Sequence, residues 1–428
     1  MATVRPAHLT ASVCPVCGKR IPAFIVPHGA DRYMKKNCPE HGAFKTVVWR
    51  GEPAMESWGS YTPPRGDAPG CPYSCGLCEN HLQDTCCVLV ELTRRCNLRC
   101  SFCFAHGAEA DDSQREKTPD ELYDIFRSLV SEGRTFIQLS GGEPTVRDDL
   151  PEIIAAARHA GAENIQLNSN GIRLGADRAF MSRCAAAGLD FVFMQFDGLD
   201  DTVYEKLRGR PLFKEKRSAI DACCSHGVGV TLVPTVVPGI NDGCIGDILR
   251  FGLNNSPAVR GVHFQPVSYF GRVPKQPDDA GRITLPEIIS AIEKQTDGLI
   301  RAADLAPSSC DHPRCGFHGD FVVLDDRVLA LTPAPGCCSS KTDGRARANR
   351  LFVSRRWKRT DIGAPEPGND LTDMSTFLAR VRRNGFTITA MAFQDSWNID
   401  LERLRRCSLH VWDSGRIIPF CAYYAGFR

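Results

Sequence analysis

The sequence has almost no net charge: 52 Lys and Arg stand against 50 Asp and Glu, leaving +2 over 428 residues. That balance offers no electrostatic case for a nucleic-acid or other polyanion partner. Long apolar runs are missing too. The longest, such as Val228 to Val237, fall well short of the ~20 residues that span a bilayer. Met1 to Val13 lacks the apolar stretch and cleavage site of an export signal, so the expected compartment is the cytoplasm. Aromatics are sparse at 8%, while 43% apolar and 24% charged residues are ordinary for a soluble globular chain. The length leaves room for a full-sized core with smaller appended units. What is abundant is cysteine, with 21 residues. At about 5% of the chain this is below the ~8–10% of disulfide scaffolds, and disulfides would need an oxidising compartment. The thiols are therefore expected on metal rather than on one another.

The middle of the chain alternates strand and helix patterns. Apolar runs at Val88–Leu92, Thr135–Leu139, Ile165–Leu167, Phe191–Phe196, Val230–Val237 and Val259–Val267 read as strands. Thr118-Pro119-Asp120-Glu121 is a capping box with proline at the first helical position. It opens a helix in which Leu122, Ile125, Phe126, Leu129 and Val130 share one face. Leu150, Ile153, Ile154 and Ala157 repeat that pattern up to Gly161. Such βα units in series predict a parallel sheet, open or part of a barrel, with chemistry at the strands' C-terminal ends. Residues 1–60 lack this rhythm, and from about residue 275 the pattern turns irregular.

Cys96, Cys100 and Cys103 follow the first strand directly, spaced C-x3-C-x2-C. Three thiolates on one loop can wrap a corner of a [4Fe–4S] cube and leave the fourth iron open, as a catalytic cluster needs. A zinc knuckle or three buried thiols is the competing reading. The second strand runs into Ser140-Gly141-Gly142-Glu143-Pro144, where two glycines let a ligand approach the backbone and Glu143 offers a carboxylate to an amine. Alone, that segment reads equally well as an ordinary turn.

Together, Cys96–Cys103, with Phe102 before the last cysteine, and Gly141–Pro144 resemble a radical SAM enzyme. The resemblance spans roughly residues 86–270. It implies an α/β fold, a partial (β/α)6 TIM-like barrel, with a [4Fe–4S] cluster on Cys96, Cys100 and Cys103. It further implies S-adenosylmethionine (SAM) chelating the open iron through its amine and carboxylate. Reductive cleavage would then yield a 5′-deoxyadenosyl radical that abstracts hydrogen from substrate. Gly141, Gly142, Glu143 and Pro144 match the segment that holds the methionine amino group. Ser169 and Asn170 end the third strand, where the family often contacts SAM, and Phe102 belongs to the cofactor-binding loop.

A second C-x3-C-x2-C lies upstream at Cys71, Cys75 and Cys78. It is expected to hold an auxiliary cluster, with Cys86 or its neighbour Cys87 as fourth ligand; zinc on the same residues is the alternative. His81 reads as a satisfied histidine rather than a ligand. Toward the C-terminus Cys310, Cys315, Cys337 and Cys421 are the expected ligands of a further auxiliary cluster, with Cys338 and Cys407 left over. Cys14, Cys17, Cys38 and His41 form a CxxC and CxxH pair suited to zinc or a single iron. Cys184, Cys223, Cys224 and Cys244 read as small buried apolar residues. The expected division is an N-terminal Cys3His-type metal knuckle (1–60), an auxiliary iron–sulfur segment (61–85), the partial barrel (86–275) and a cysteine-rich C-terminal extension that closes the substrate site (276–428).

The order of these cysteine groups is similar to a radical SAM subgroup that includes archaeal dihydropterin methylases and tetraether lipid synthases. That resemblance implies C–C bond formation on a small-molecule or lipid substrate, by alkyl coupling or methylation. It also implies auxiliary [4Fe–4S] clusters handling electrons and a donor such as ferredoxin or flavodoxin. Gln265 and Tyr269 are expected at the barrel mouth, in contact with substrate or in core packing. A non-catalytic iron–sulfur carrier or a metal-binding interaction module is the alternative. It accounts for residues 1–45 but leaves the βα series without a purpose.

Overall fold

In the computed structural model, residues 8–59, 70–105, 115–325, 327–332, 345–359 and 373–427 are described. The chain begins with a four-stranded antiparallel meander: β1 (His8–Val13), β2 (Arg20–His28), β3 (Asp31–Cys38) and β4 (Gly42–Trp49). The two inner strands, β2 and β3, alternate in burial, as sheets covered on one face do. Ile25 and Trp49 join the main core, while Cys14, Ile21 and Cys38 form a small core of their own with Phe44 packed against it. The meander is docked by Thr10 on the Asp400 carboxylate (2.6 Å), Ser12 on the Ile399 carbonyl (2.6 Å) and Lys36 on the Ser396 carbonyl (2.8 Å).

The central strands are β5 (Cys87–Thr93), β6 (Phe136–Gly141), β7 (Asn164–Ser169), β8 (Phe191–Gln195) and β9 (Gly229–Val233). They are followed by the short β10 (Thr235–Val236) and by β11 (Val259–Pro266). The order β5-β6-β7-β8-β9-β11 is parallel throughout, and β10 pairs with β11. Helices between the strands follow the sequence signals. The helix Pro119–Ser131 carries the full Thr118/Glu121 capping box and buries Leu122, Phe126 and Leu129. A second capping box, at Thr284 and Glu287, opens the helix Leu285–Gln295 beyond the barrel strands.

The remaining strands are β12 (Ala306–Pro307), β13 (Gly316–Val323), β14 (Val328–Ala330), β15 (Gly385–Met391), β16 (Leu409–Asp413) and β17 (Arg416–Pro419). They do not stand apart from the barrel sheet. β15 extends it in parallel beside β11, and β16 extends it in parallel beside β5 at the opposite edge. β13 and β17 then cover those new edges in antiparallel fashion. The sheet curls as a partial barrel and does not close. No helix of the described residues is long and apolar enough to cross a membrane.

Candidate active site and its cysteine groups

Cys96, Cys100 and Cys103 ride on the loop that leaves β5, and all three are half-buried. Other parts of the chain clamp this loop. Gly142 N–H donates to the Thr93 carbonyl (2.8 Å) and Glu143 N–H to the Arg95 carbonyl (2.9 Å). Ser101 N–H donates to the Leu207 carbonyl (2.9 Å), and Cys103 and Arg272 exchange backbone bonds of 3.0 and 2.9 Å. A Cβ on Gly141 would lie 2.2 Å from the Thr93 carbonyl oxygen, and one on Gly142 would lie 2.3 Å from that of Arg95. The close approach these glycines permit is therefore that of the chain's own cysteine loop, and Gly141, at φ +129°, could not carry a side chain without strain. Burial pushes the Cys96 thiol up to about 12, so it is in a state to yield its proton only to a strong Lewis acid.

Glu143, 2% exposed, ties the end of β6 to the end of β7. Its Oε1 accepts from Thr145 N–H (3.1 Å), the Thr145 hydroxyl (2.6 Å) and the Ser169 hydroxyl (2.8 Å), and its Oε2 from Asn170 N–H (2.7 Å). The carboxylate is first a staple, with spare accepting capacity on Oε2 for an amine. The Asn170 amide reaches back to the cysteine loop at Asn97 Oδ1 (2.7 Å). Pro144, expected among the cofactor contacts, is buried and opens the turn Pro144–Val146; it is not among the residues that line the cavity. Phe102 meets the ring of Tyr269 edge-on, with centroids 6.0 Å apart. Tyr269 is packed rather than free, its hydroxyl donating to the Gly281 carbonyl (2.7 Å).

One cavity of about 300 Å³ joins all these groups to the barrel lumen. The three loop cysteines, Gly141, Gly142, Glu143, Ser169, Asn170 and Gln265 all line it. Several members carried no sequence motif. Arg208 grips Asp197 through two bonds of 2.7 Å, both side chains buried. Behind the lining, Lys216, fully buried, donates to the Asn170 carbonyl (2.6 Å) and to Gln195 Oε1 (2.8 Å), and burial brings its ammonium down to about 7. Gln138, Gln166, Asn168 and His263 line the lumen, and burial lowers His263 to about 4, so its imidazole is neutral near pH 7. A signal for them exists: Gln138 and Ser140, then Gln166 and Asn168, alternate with apolar residues in parallel strands, which normally read as unbroken apolar runs.

The other cysteines fall into groups that the spacing foresaw only in part. Cys71 and Cys75 share a side-chain hydrogen bond, with Cys78 and Cys407 close enough to raise the Cys75 thiol. The side-chain partner of Cys86 is Cys310, not a thiol of that upstream set. Cys310 is held in turn by the Ser408 hydroxyl (3.1 Å). Cys87 faces Gln138 Oε1 (3.3 Å) in the lumen. Cys315, Cys407 and Cys421 line a small second cavity, so Cys407, left over in the sequence reading, stands beside two of the expected ligands, while Cys310 does not line that cavity. Register places it there: β16 pairs Leu409 with Cys87, which draws the segment 407–408 to the start of β5. Cys337 and Cys338 lie outside the described residues. His81 bonds to the Cys407 carbonyl (2.7 Å) and approaches His410 (3.3 Å), as a satisfied histidine should. Cys184 and Cys223 are core residues, whereas Cys224 is exposed and Cys244 half-exposed.

At the N-terminus, the ligand atoms of Cys14, Cys17, Cys38 and His41 lie within 4.8 Å of one another. His41 turns Nδ1 to Cys14 (3.7 Å) and Cys38 (3.5 Å), and Cys17 stands 3.9 Å from Cys38. Bonds of about 2.0–2.3 Å to a tetrahedral ion would set ligands roughly 3.3–3.8 Å apart, so the donor set and its spacing suit such an ion.

The profile of the radical SAM superfamily matches residues 90–252, and that of the HMPTM N-terminal zinc ribbon domain matches residues 6–50. The chain is 33% identical over 471 positions to the 7,8-dihydro-6-hydroxymethylpterin dimethyltransferase of Methanocaldococcus jannaschii, covering 97% of this chain and 92% of that one. The chain belongs to the radical SAM superfamily. It is also 32% identical over 176 residues to a probable GTP 3′,8-cyclase of Thermococcus kodakarensis, covering 41% of this chain and 56% of that one. With the Fe-coproporphyrin III synthase of Methanosarcina barkeri it shares 32% over 187 residues, 43% of this chain and 45% of that one. It spans about half the length of these two relatives. As a radical SAM protein it is an enzyme, with a family cofactor set of a [4Fe–4S] cluster and SAM. The half-buried thiols Cys96, Cys100 and Cys103 on one cavity wall, with glycines that admit the loop, fit that set.

Proposed function

We propose that this radical SAM enzyme methylates carbon on a pterin-like substrate. The observation that carries the reading is the single compartment: the cysteine loop and the barrel lumen line one cavity, so cofactor and substrate meet without a channel between them. The pterin class follows from kinship over nearly the whole chain with the Methanocaldococcus enzyme. A cluster on Cys96, Cys100 and Cys103 with SAM supplies, when bound, the one-electron cleavage that starts chemistry at an unactivated carbon. Glu143, stapled to Ser169 and Asn170, keeps a buried acceptor beside the loop for an amine. The rings of Phe104, Phe270, Phe393 and Phe420, with Tyr424 behind them, pack together on one side of the compartment and give it an apolar face.

Cys71, Cys75 and Cys78 form one auxiliary ligand set in this reading, and Cys315, Cys407 and Cys421 another. Cys14, Cys17, Cys38 and His41 hold zinc or a single iron as a structural site. A cytoplasmic ferredoxin or flavodoxin supplies electrons. Alkyl coupling is the second reading, since the same compartment suits it. The test is anaerobic reconstitution with iron and sulfide, then incubation with SAM, a strong reductant and 6-hydroxymethyl-7,8-dihydropterin. Methyl transfer from SAM releases S-adenosylhomocysteine and a methylated pterin, whereas coupling releases 5′-deoxyadenosine without S-adenosylhomocysteine. No change in the pterin, with SAM cleaved on another substrate, would sink the pterin reading. Iron far below about eight per chain, against four per cubane cluster, would remove the auxiliary sets.

A further inference from the structure

The lumen of this barrel carries several polar side chains at inward positions where such barrels ordinarily carry branched apolar ones, set into a lining that is otherwise mostly apolar. Alternate residues of a strand share a face, and the inward positions include Gln138 on β6, Gln166 and Asn168 on β7, Phe193 on β8 and His263 on β11. Buried polar groups are costly unless bonded, so each of their hydrogen bonds can be followed. Gln138 Oε1 accepts from the Cys87 thiol (3.3 Å), leaving Nε2 with no partner among the described residues. Gln166 Nε2 donates to Asn168 Oδ1 (2.9 Å), leaving Gln166 Oε1 in the same condition. Asn168 Nδ2 goes to the Ser140 hydroxyl (3.3 Å). His263 Nδ1 is engaged by the Thr389 hydroxyl (2.8 Å), leaving Nε2. Gln138, Gln166 and His263 are 8%, 1% and 9% exposed, so they are built into the interior and open only onto the cavity.

Beside these groups the wall is aromatic, with Phe193 on β8 in register with Asn168 on β7. Phe193 lies against Trp357 (centroids 4.6 Å) and against His263 (5.4 Å, tilted 35°). The Trp357 indole N–H is spent on the Thr389 neighbour Thr387 (2.8 Å), so the ring offers only its apolar surface. The charge of Arg208 on this cavity is already matched by Asp197. A neutral imidazole, one amide donor, one amide acceptor and flat rings stand together within a mostly apolar wall. They complement an uncharged flat ring whose edge alternates donors and acceptors.

We infer that the lumen is the ring subsite of the substrate: Gln138, Gln166 and His263 read the edge of a planar, uncharged, amide-edged nitrogen heterocycle, and Phe193 and Trp357 pack its face. This assignment rests on the pterin reading for the identity of the ring, but not for the class of ring.

The test is equilibrium binding to the anaerobically reconstituted protein, with 6-hydroxymethyl-7,8-dihydropterin as the probe and iron content as the control for folding. Gln138→Leu, Gln166→Leu and Phe193→Leu should each weaken binding about tenfold or more, from a lost bond or a lost aromatic face. On the wild type, 2-naphthalenemethanol, a flat ring without an amide edge, should fail to displace the probe even where a variant does not fold. Probe binding that survives both glutamine substitutions within twofold, or equal competition by the naphthalene, overturns the subsite and leaves the pterin reading standing. If the wild type ignores the pterin but binds guanine with the same dependence on Gln138 and Gln166, the subsite stands and the pterin reading falls. Binding of neither ring overturns both.

Discussion

Glu143 shows how one residue can serve a site without touching substrate. Its four accepted bonds join the turn after β6 to the start of the chain beyond β7, all in the interior. In Glu143→Gln an amide N–H₂ must face donors, leaving at least one buried donor unmatched, at a cost of about 1–3 kcal/mol. Urea denaturation should register that loss, and SAM affinity by calorimetry should fall with it; unchanged stability would show the staple to be dispensable. Lys216 supplies a test by pH. Burial holds its ammonium at about 7 against an ordinary 10.5. Between those values the unfolded chain holds the proton and the folded chain does not, so stability contributed here rises with pH. Below pH 7 both states are protonated and the burial cost is fully present. Wild type should therefore gain stability over Lys216→Met as the pH is raised from about 7.5 to about 9.5, where linkage is steepest. A constant difference in denaturant midpoints across that range would refute it.

Among the elements, the turn after β6 and the cysteine loop are a fitted pair. The backbone of 93–95 passes so near Gly141 and Gly142 that either Cβ would overlap a carbonyl oxygen. Gly142→Ala must push the loop outward, and a displacement near 1 Å at a reacting centre costs roughly 100-fold. Activity should fall to that degree while far-UV circular dichroism stays the same; full activity would mean the loop can move without consequence. This pair was legible early because both halves are local: cysteine spacing on one side, a strand-end Gly-Gly-Glu on the other. The capping box at Thr118 was equally legible, being four consecutive residues. The edge strands β15 and β16 were not, since a short strand in an irregular stretch carries no mark of the distant edge it will join.

At the scale of the whole molecule, the C-terminal chain is bound into the barrel rather than appended to it. Asp395 accepts two bonds from Arg282 (2.9 and 3.0 Å) and one from Tyr269 N–H (3.0 Å), with Asp395 wholly buried. It thereby joins the segment after β15 to the chain after β11. Asp395→Ala leaves the Arg282 cation buried without its partner, which costs about 3–5 kcal/mol. The thermal midpoint should drop by many degrees, and the double variant with Arg282→Met should recover part of the loss. No drop would mean the two segments are held by packing alone. The sequence by itself determined the parallel series, the grouping of Cys96, Cys100 and Cys103 on one loop and the Cys14–Cys17–Cys38–His41 group, because those signals are local spacings and strand patterns. Only the tertiary structure decided that Cys86 meets Cys310, that Cys407 lies with Cys315 and Cys421 on one small cavity, and that Gln138, Gln166 and His263 share one lumen. Those groupings depend on which strand edges pair and in what register, and a one-residue slip would turn every side chain to the other face.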